Sequence, residues 1–311
     1  MIIKRDKEQI LGYLEDASNL EGGNADILYI PETEDEVKEA VCECARKRVP
    51  LTVSAGGTGT VGSRISRDGA ILSVERLNKI LSIDKENKRA VLQSGVIISD
   101  FLEALAQQDL FYPPFPTERT AFIGGNIATN ASGEYSYYFG PTRNYVKKIK
   151  VLLSTGRVLA MERGDILADD NGIIRIGELN IKIPSYTSPQ VKNAAGYFSK
   201  PRMDLIDLFI GSEGTLGVIT EAEVEIIDDL QSRFIMVIFL PDEQMLLEFI
   251  SEIKNNLDLN PVSLEYFDKN SLDFLRSDFQ SIPDNSEAAV YIGVMLEKGK
   301  FWPWDLFFLR I

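Results

Sequence analysis

A glycine-rich stretch followed too soon by a strand places the tightest constraint on this chain. Residues 54–62 read SAGGTGTVG, and from Gly57 they match G-x-G-x-x-G, the pattern of a dinucleotide-binding turn. In a doubly wound nicotinamide-binding fold that turn opens a helix, whose positive end meets the pyrophosphate. Here the polar segment SRISRDG follows, and AILSV (70–74) already reads as a strand. Seven residues separate Gly62 from Ala70, too few for a crossover helix of about a dozen. Glu75 stands where a ribose-binding acid would stand, but the helix that gives such an acid its meaning is missing. The turn must therefore bind an anion with its own N–H groups and with Ser54, Thr58 and Thr60.

The turn still lies in the right place for a phosphate. Ile27–Ile30 is apolar and Pro31 ends it. Thr33, with Glu36 three residues on, reads as a capping box. Val37, Val41 and Ala45 then fit one helix face, and Val49–Val53 leads as a short strand into the glycine turn. Further along, residues 90–96 read as a strand and 98–110 as an amphipathic helix with Phe101, Leu102 and Leu105 on one side. Residues 146–162 form two strands around a Ser-Thr-Gly turn, and 205–227 read as helix, glycine turn and extended run. The segment FYPPFPTERTAFIGGNIATNASG (111–133) is expected to be a long irregular loop, of the kind that is often functional.

Three glycine-rich segments stand apart in the sequence: Ser54–Gly62, Phe122–Gly133 and Gly211–Gly217. Glycine lets backbone approach a ligand closely. One such nest suits one phosphate, and several converging nests suit a dinucleotide. Three unrelated structural turns are the alternative. The chain carries 33 basic and 47 acidic residues, a net charge of −14, so bulk charge repels an anionic ligand and leaves no basic footprint for nucleic acid. Hydroxyls and backbone N–H groups are expected to satisfy the phosphates without a cation.

Two further features exclude chemistry. The 311 residues contain no histidine, which rules out a Ser-His-Asp triad, a histidine metal site and a histidine-linked flavin within them. No metal site is read in the chain. Cys42 and Cys44, the two cysteines, fall on different sides of a helix and are read as reduced, packed thiols. The amino-terminal residues alternate charge with apolar character and lack a signal-peptide core, so a cytoplasmic address is expected. Past residue 230 the order is strand (233–240), helix (242–256), strand, helix, strand (288–296), which suggests a second α/β domain from about residue 231. The aromatic-rich segment KGKFWPWDLFFLRI (298–311) either packs against that domain or reflects a chain cut short or read through a changed frame.

The ordered motifs VSAGGTGTVGS, FPTERTAFIGGNIATNASG, FGPTRNYV, NAAGYF and LFIGSEGTLGVITEAEVEI resemble the FAD-linked oxidases of the glycolate oxidase and D-lactate dehydrogenase type. These flavoproteins carry the vanillyl-alcohol-oxidase (PCMH) type of FAD-binding domain. The resemblance spans roughly residues 20–230. It implies an α+β fold: a two-lobed FAD-binding domain over 1–230, then the start of a partial α/β, ferredoxin-like substrate or cap domain over 231–311. By match to the family pattern, Ser54, Ala55, Gly56, Gly57, Thr58, Gly59 and Thr60 would wrap the pyrophosphate. Pro116, Thr117, Thr120 and Ala121 would run past the flavin, followed by Gly124, Gly125, Asn126, Ala128, Thr129, Asn130 and Ser132. Thr142 and Arg143 would lie near the ribityl or phosphate region. Glu213, Gly214, Gly217, Val218 and Ile219 would hold the adenosine. Asn193, Gly196 and Tyr197 would approach the flavin ring, although Tyr197 also reads as a plain buried aromatic.

The resemblance further implies non-covalent FAD and oxidation of a small 2-hydroxy acid, glycolate- or D-lactate-like, with the hydride equivalent passing to flavin N5. An iron–sulfur subunit is an expected electron-transfer partner. The family draws its substrate-side groups mostly from the carboxyl-terminal domain, commonly as histidines, and this chain has none. Arg143, Lys192 and Arg202 are the basic residues near the motifs that could anchor a carboxylate; solvated surface charge is the plainer reading of each. An FAD-binding module without turnover is the alternative to the full oxidoreductase, and another flavoenzyme on the same scaffold, such as an alditol or ether-lipid enzyme, is a third possibility.

Overall fold

A computed structural model of the chain describes residues 1–184, 189, 191, 193–229, 233–255 and 261–295. Lys192 and the aromatic segment 298–311 lie outside the described residues. The chain divides into two compact units.

The first unit comprises Met1–Tyr112, Pro116–Ala131 and Pro141–Ile227. Its four-stranded sheet runs in the order Ile2–Lys4, Ile27–Ile30, Ala70–Ser73, Leu51–Ser54. The last three strands are parallel, because the helix Glu34–Lys47 carries the chain back between Ile30 and Leu51. That helix buries Val37, Val41 and Cys44 against Ile27, Tyr29 and Leu72. Its spacing is i, i+4, i+7, so Cys44 rather than Ala45 completes the apolar face, and Ala45 is exposed. Cys42 is partly exposed on another side and both thiols are free. Burial and the neighbouring Glu43 carboxylate raise the Cys44 pKa. Thr33 caps the helix, its Oγ1 accepting from Glu36 N at 3.3 Å, and the Glu36 carboxylate accepts from Glu32 N at 2.7 Å. Thr33→Ala is expected to lower stability by about 1 kcal/mol, read as a shift of the urea midpoint with unchanged slope.

A five-stranded antiparallel sheet lies beside it in the chain's contact pattern. Its order is Ile80–Asp84, Arg89–Gln93, Val218–Glu225, Val146–Leu152, Val158–Glu162. From Thr220 the strand Val218–Glu225 alternates buried and half-buried residues, as one core-facing side requires. Its inward residues Ala222 and Val224 meet Leu92, Phe101, Leu105, Ile123, Ile127 and Ile206 in one core. The outer side is laced with ion pairs, Lys148 to Glu162 and Glu223, Lys150 to Glu221 and Arg89 to Glu225 among them. The helix expected over 98–110 ends at Ala106.

One correction bears on the site. The segment expected to be irregular contains a helix, Ile123–Thr129, with Ile123 and Ile127 one turn apart and fully buried. Its glycine pair disguised it, since glycine is a poor helix former. A hairpin of Ile173–Ile176 and Leu179–Lys182 is also present, as is the strand Ile80–Asp84, neither of which the sequence reading had separated out.

The second unit comprises Pro113–Phe115, Ser132–Gly140 and the described residues from Asp228 to Met295. Three strands order as Arg233–Leu240, Ala288–Met295, Pro261–Phe267, and both outer strands run antiparallel to the central one. The order of strands and helices matches the expected α/β succession, while the pairing is a feature of the fold. The last strand inserts between the first two, so the outer pair is parallel but not adjacent. Helix Glu243–Asn255 buries Leu246 and Ile253 against Val290, Ile292 and Val294. Among the described residues no helix is long and apolar enough to cross a membrane.

Candidate functional site

The three glycine segments converge within the first unit. Strand Leu51–Ser54 ends at Ser54, whose carbonyl accepts from Val74 N at 3.0 Å, and the chain turns through Gly57 at φ +73°. Strand Arg89–Gln93 runs into Ser94, which sits at a crossing point. Ser94 N donates to Thr220 O at 3.0 Å and Ser94 O accepts from Gly124 N at 2.8 Å. The helix Ile123–Thr129 is thereby fixed to two strands of the five-stranded sheet. The third segment docks on the far end of that helix, with Gly211 N donating to Ile127 O at 3.0 Å and Glu213 N to Ala128 O at 2.9 Å. Side chains close the ring, Ser63 Oγ donating to Glu213 Oε2 at 2.9 Å. A Cβ on Gly125 would lie 3.1 Å from Ala55 Cβ, so the helix backbone at Gly125 packs closely on the Ala55 side chain.

Between them lies a cavity of about 130 Å³, close to the size that accommodates a single aromatic ring. Its walls are largely apolar, from Val53, Ala55, Val74, Ala121, Phe122 and Ile219. Two buried polar atoms in its lining, Ser94 Oγ and Asn126 Nδ2, have no hydrogen-bond partner among the described residues. Arg64 and Asp16 reach it from the side of the glycine turn. Burial pulls the Arg64 guanidinium below its ordinary pKa, against the opposing pull of Tyr13, Asp16 and Glu75. Glu75 itself accepts from Tyr13 Oη at 2.9 Å and from Ser73 Oγ at 3.1 Å, and burial, with that carboxylate, pushes the Tyr13 phenol up to about 12.

Residues 25–162 match the family described as FAD binding domain. The chain is 36% identical over 205 residues to "D-lactate dehydrogenase" of Anaerostipes hadrus, and 30% identical over 286 residues to "Glycolate oxidase subunit GlcD" of Bacillus subtilis. The chain carries the FAD binding domain. These alignments cover 66% and 91% of the chain, but 37% and 54% of the two relatives; the chain spans about half the length of the curated relatives it matches. In fold it resembles a solved alkyldihydroxyacetonephosphate synthase, with a TM-score of 0.68 over 94% of this chain and 54% of the other, at 18% identity. FAD is the cofactor of this domain, and the cavity suits one of its rings. A buried donor without a partner costs about 1–3 kcal/mol, so a heterocycle with ring nitrogens and carbonyls would fit beside Ser94 and Asn126.

The structure brings together many of the residues picked out by sequence. Ala55 to Gly59, Ala121, Gly124 to Asn126, Ala128, Thr129, Glu213, Gly214, Gly217 and Ile219 all line the cavity. Others fall elsewhere. Ser54 and Val218 are buried in strands, Thr60 and Thr117 are exposed, and Pro116 is buried outside the lining. Thr120 Oγ1 donates to Glu118 Oε1 at 2.6 Å. Ser132 belongs to the second unit, and Thr142 Oγ1 donates to Ala131 O at 2.8 Å. Asn130, Arg143, Asn193, Gly196 and Tyr197 line a separate, open cavity, which shares Thr129 and Glu213 with the first. Tyr197 is 46% exposed, with its hydroxyl 2.7 Å from Thr215 Oγ1, so it is not a buried aromatic. Arg143 is held internally. Its Nη1 donates to Asp207 Oδ1 at 2.9 Å and Asp207 O at 2.6 Å, its Nη2 to Ile210 O, and its guanidinium lies 4.1 Å from the Phe198 ring centre. Arg202 is an exposed residue paired with Asp170.

Sequence reasoning missed Asp16, Arg64, Ser94 and Phe122 as lining residues. Ser94 had a signal. Ala90 and Leu92 are buried at period two, and Ser94 continues that inward set, a polar residue where an apolar one belongs. Arg64 stands two residues after Gly62, so its nearness to the turn was legible; Asp16 had no signal, since only the tertiary fold brings it there.

Proposed function

We propose that the chain is an FAD-dependent oxidoreductase of small 2-hydroxy acids, glycolate- or D-lactate-like, and that it passes electrons on to a partner such as an iron–sulfur protein. The observation that supports this best is the cavity formed by the three glycine segments, with its unpartnered Ser94 and Asn126 donors. When bound, FAD supplies the two-electron acceptor for oxidation of the alcohol carbon. The chain's own part begins with backbone N–H groups of Ala55 to Gly59, which hold the diphosphate. Ser94 Oγ and Asn126 Nδ2 donate to a heterocycle of the cofactor, and Val74, Phe122 and Ile219 keep water from it. We assign residues 1–230 to a two-lobed cofactor domain, one lobe per sheet. Residues 231–311 form part of a ferredoxin-like substrate domain. The split connection, in which the last strand inserts between the first two, supports that assignment.

The absence of histidine favours a second reading, in which the chain holds FAD and does not turn over a 2-hydroxy acid by itself. One titration separates the two. The purified chain is mixed with FAD, freed of excess, and exposed anaerobically to D-lactate and glycolate. A yellow protein bleached by either acid is the expected result. A yellow protein that neither acid bleaches leaves the second reading, and a protein that takes up no flavin sinks both.

A further inference from the structure

We propose that Arg64 is the cation that balances the cofactor's diphosphate, a role that rests on the FAD reading above. A protein of net charge −14 that also lines its cavity with Asp16 and Glu213 repels a dianion unless a local positive charge intervenes. Among the described residues lining the cavity, Arg64 is the one cation. It lies against the glycine turn itself: a Cβ on Gly57, which turns at φ +73°, would stand 1.9 Å from Arg64 Nη1. The absence of a side chain at Gly57 therefore makes room for the guanidinium as well as for the ligand.

The side chain is also held in place. Nη2 donates to Gly12 O at 2.6 Å, and the guanidinium carbon lies 5.5 Å from the Tyr13 ring centre. Nη1 makes only a long contact to Ala55 O at 3.4 Å, and buried Nε has no partner among the described residues. The guanidinium is anchored through Nη2, and Nη1, on the side of the glycine turn, keeps a donor for a phosphate oxygen. The anchor comes from a segment that precedes the matched family domain, which begins at residue 25. Ala17 N, in that same segment, donates to Gly57 O at 3.0 Å. Residues 12–17 thus complete the diphosphate site from outside the matched segment, through Arg64.

The test compares FAD with riboflavin, which lacks the diphosphate, by quenching of flavin fluorescence at low and high salt. Loss of a charge-assisted contact is expected to weaken FAD binding by Arg64→Gln about 10- to 100-fold. Riboflavin affinity is expected to stay within about twofold, since neither form of the chain has a phosphate to hold there. Arg64→Lys is expected to recover part of the loss, and FAD affinity in the native chain to fall more steeply with salt than in R64Q. FAD affinity unchanged in R64Q, or FAD and riboflavin weakened alike, would overturn the assignment and leave Arg64 as a clamp on the Gly12–Tyr13 segment. Should R64Q fail to fold, judged by its melting profile, R64K and its salt dependence carry the same comparison. A native chain that binds no FAD overturns the cofactor reading and this one together; a native chain that binds while R64Q binds equally overturns this one alone.

Discussion

Asp207→Ala is expected to destabilise the chain by about 3–5 kcal/mol, the cost of leaving buried charge without its partner. The Asp207 side chain is 11% exposed and accepts from two arginines. Arg143 Nη1 and Arg163 Nη2 meet Oδ1 at 2.9 and 3.1 Å, and Arg163 Nη1 meets Oδ2 at 3.2 Å. Alanine would leave two guanidinium groups facing each other across the vacated space, one of them 12% exposed. The backbone bonds of Arg143 to Asp207 O and Ile210 O survive the change, which keeps the effect below outright unfolding. Asp207→Asn retains an acceptor but no charge, and falls between. Urea midpoints of the three proteins measure this, and a loss under about 1 kcal/mol for alanine, the value of an exposed pair, would contradict it. FAD affinity of the folded protein is expected to change little, because the network holds the wall of the second cavity rather than the first. That expectation separates a structural Arg143 from one that touches the cofactor.

The parts of this molecule that were legible in sequence are those governed by local rules. The Thr33 cap, the paired strands around the Ser-Thr-Gly turn, and the brevity of the link from Gly62 to Ala70 all depend on neighbours in sequence, and each is found. The helix Ile123–Thr129 was obscured because Gly124 and Gly125 argue locally for a loop. Tertiary packing of Ile123 and Ile127 overrides that preference. In the second unit the order of elements was legible but the pairing was not, since the position of Ala288–Met295 between two earlier strands is a long-range choice. The site divides in the same way. Glycines mark close approach of backbone wherever they stand, so the three segments were visible as candidates. Asp16 carries no local mark; Arg64 has one, two residues past Gly62, but the expectation of a site without a cation was drawn from bulk charge, which does not resolve where a single residue lies.

Gly124→Ala tests that local and tertiary conflict directly, because the two predict opposite signs. By helix propensity alone, alanine in place of glycine stabilises a helix by about 1 kcal/mol. In the fold, a Cβ at Gly124 would lie 2.5 Å from Ser94 Cβ and 2.8 Å from Ser94 O, and neither atom sits at the end of a flexible chain. Either the helix lifts from the strand end or Ser94 is driven back, and overpacking of this kind costs about 1–3 kcal/mol. Both movements break the bond of Gly124 N to Ser94 O and displace Ser94 Oγ and Asn126 Nδ2, the two donors set into the cavity. We expect net destabilisation in urea, with FAD affinity lowered at least about tenfold, the loss of one or two hydrogen bonds to a ring. Gly125→Ala is the comparison. Its Cβ would stand 3.1 Å from Ala55 Cβ, a contact that a few tenths of an ångström relieve, so its stability should change less while FAD binding still declines. A Gly124→Ala protein more stable than its parent and equally yellow would mean that the helix does not press on Ser94 and that the cavity between them is not where the cofactor binds.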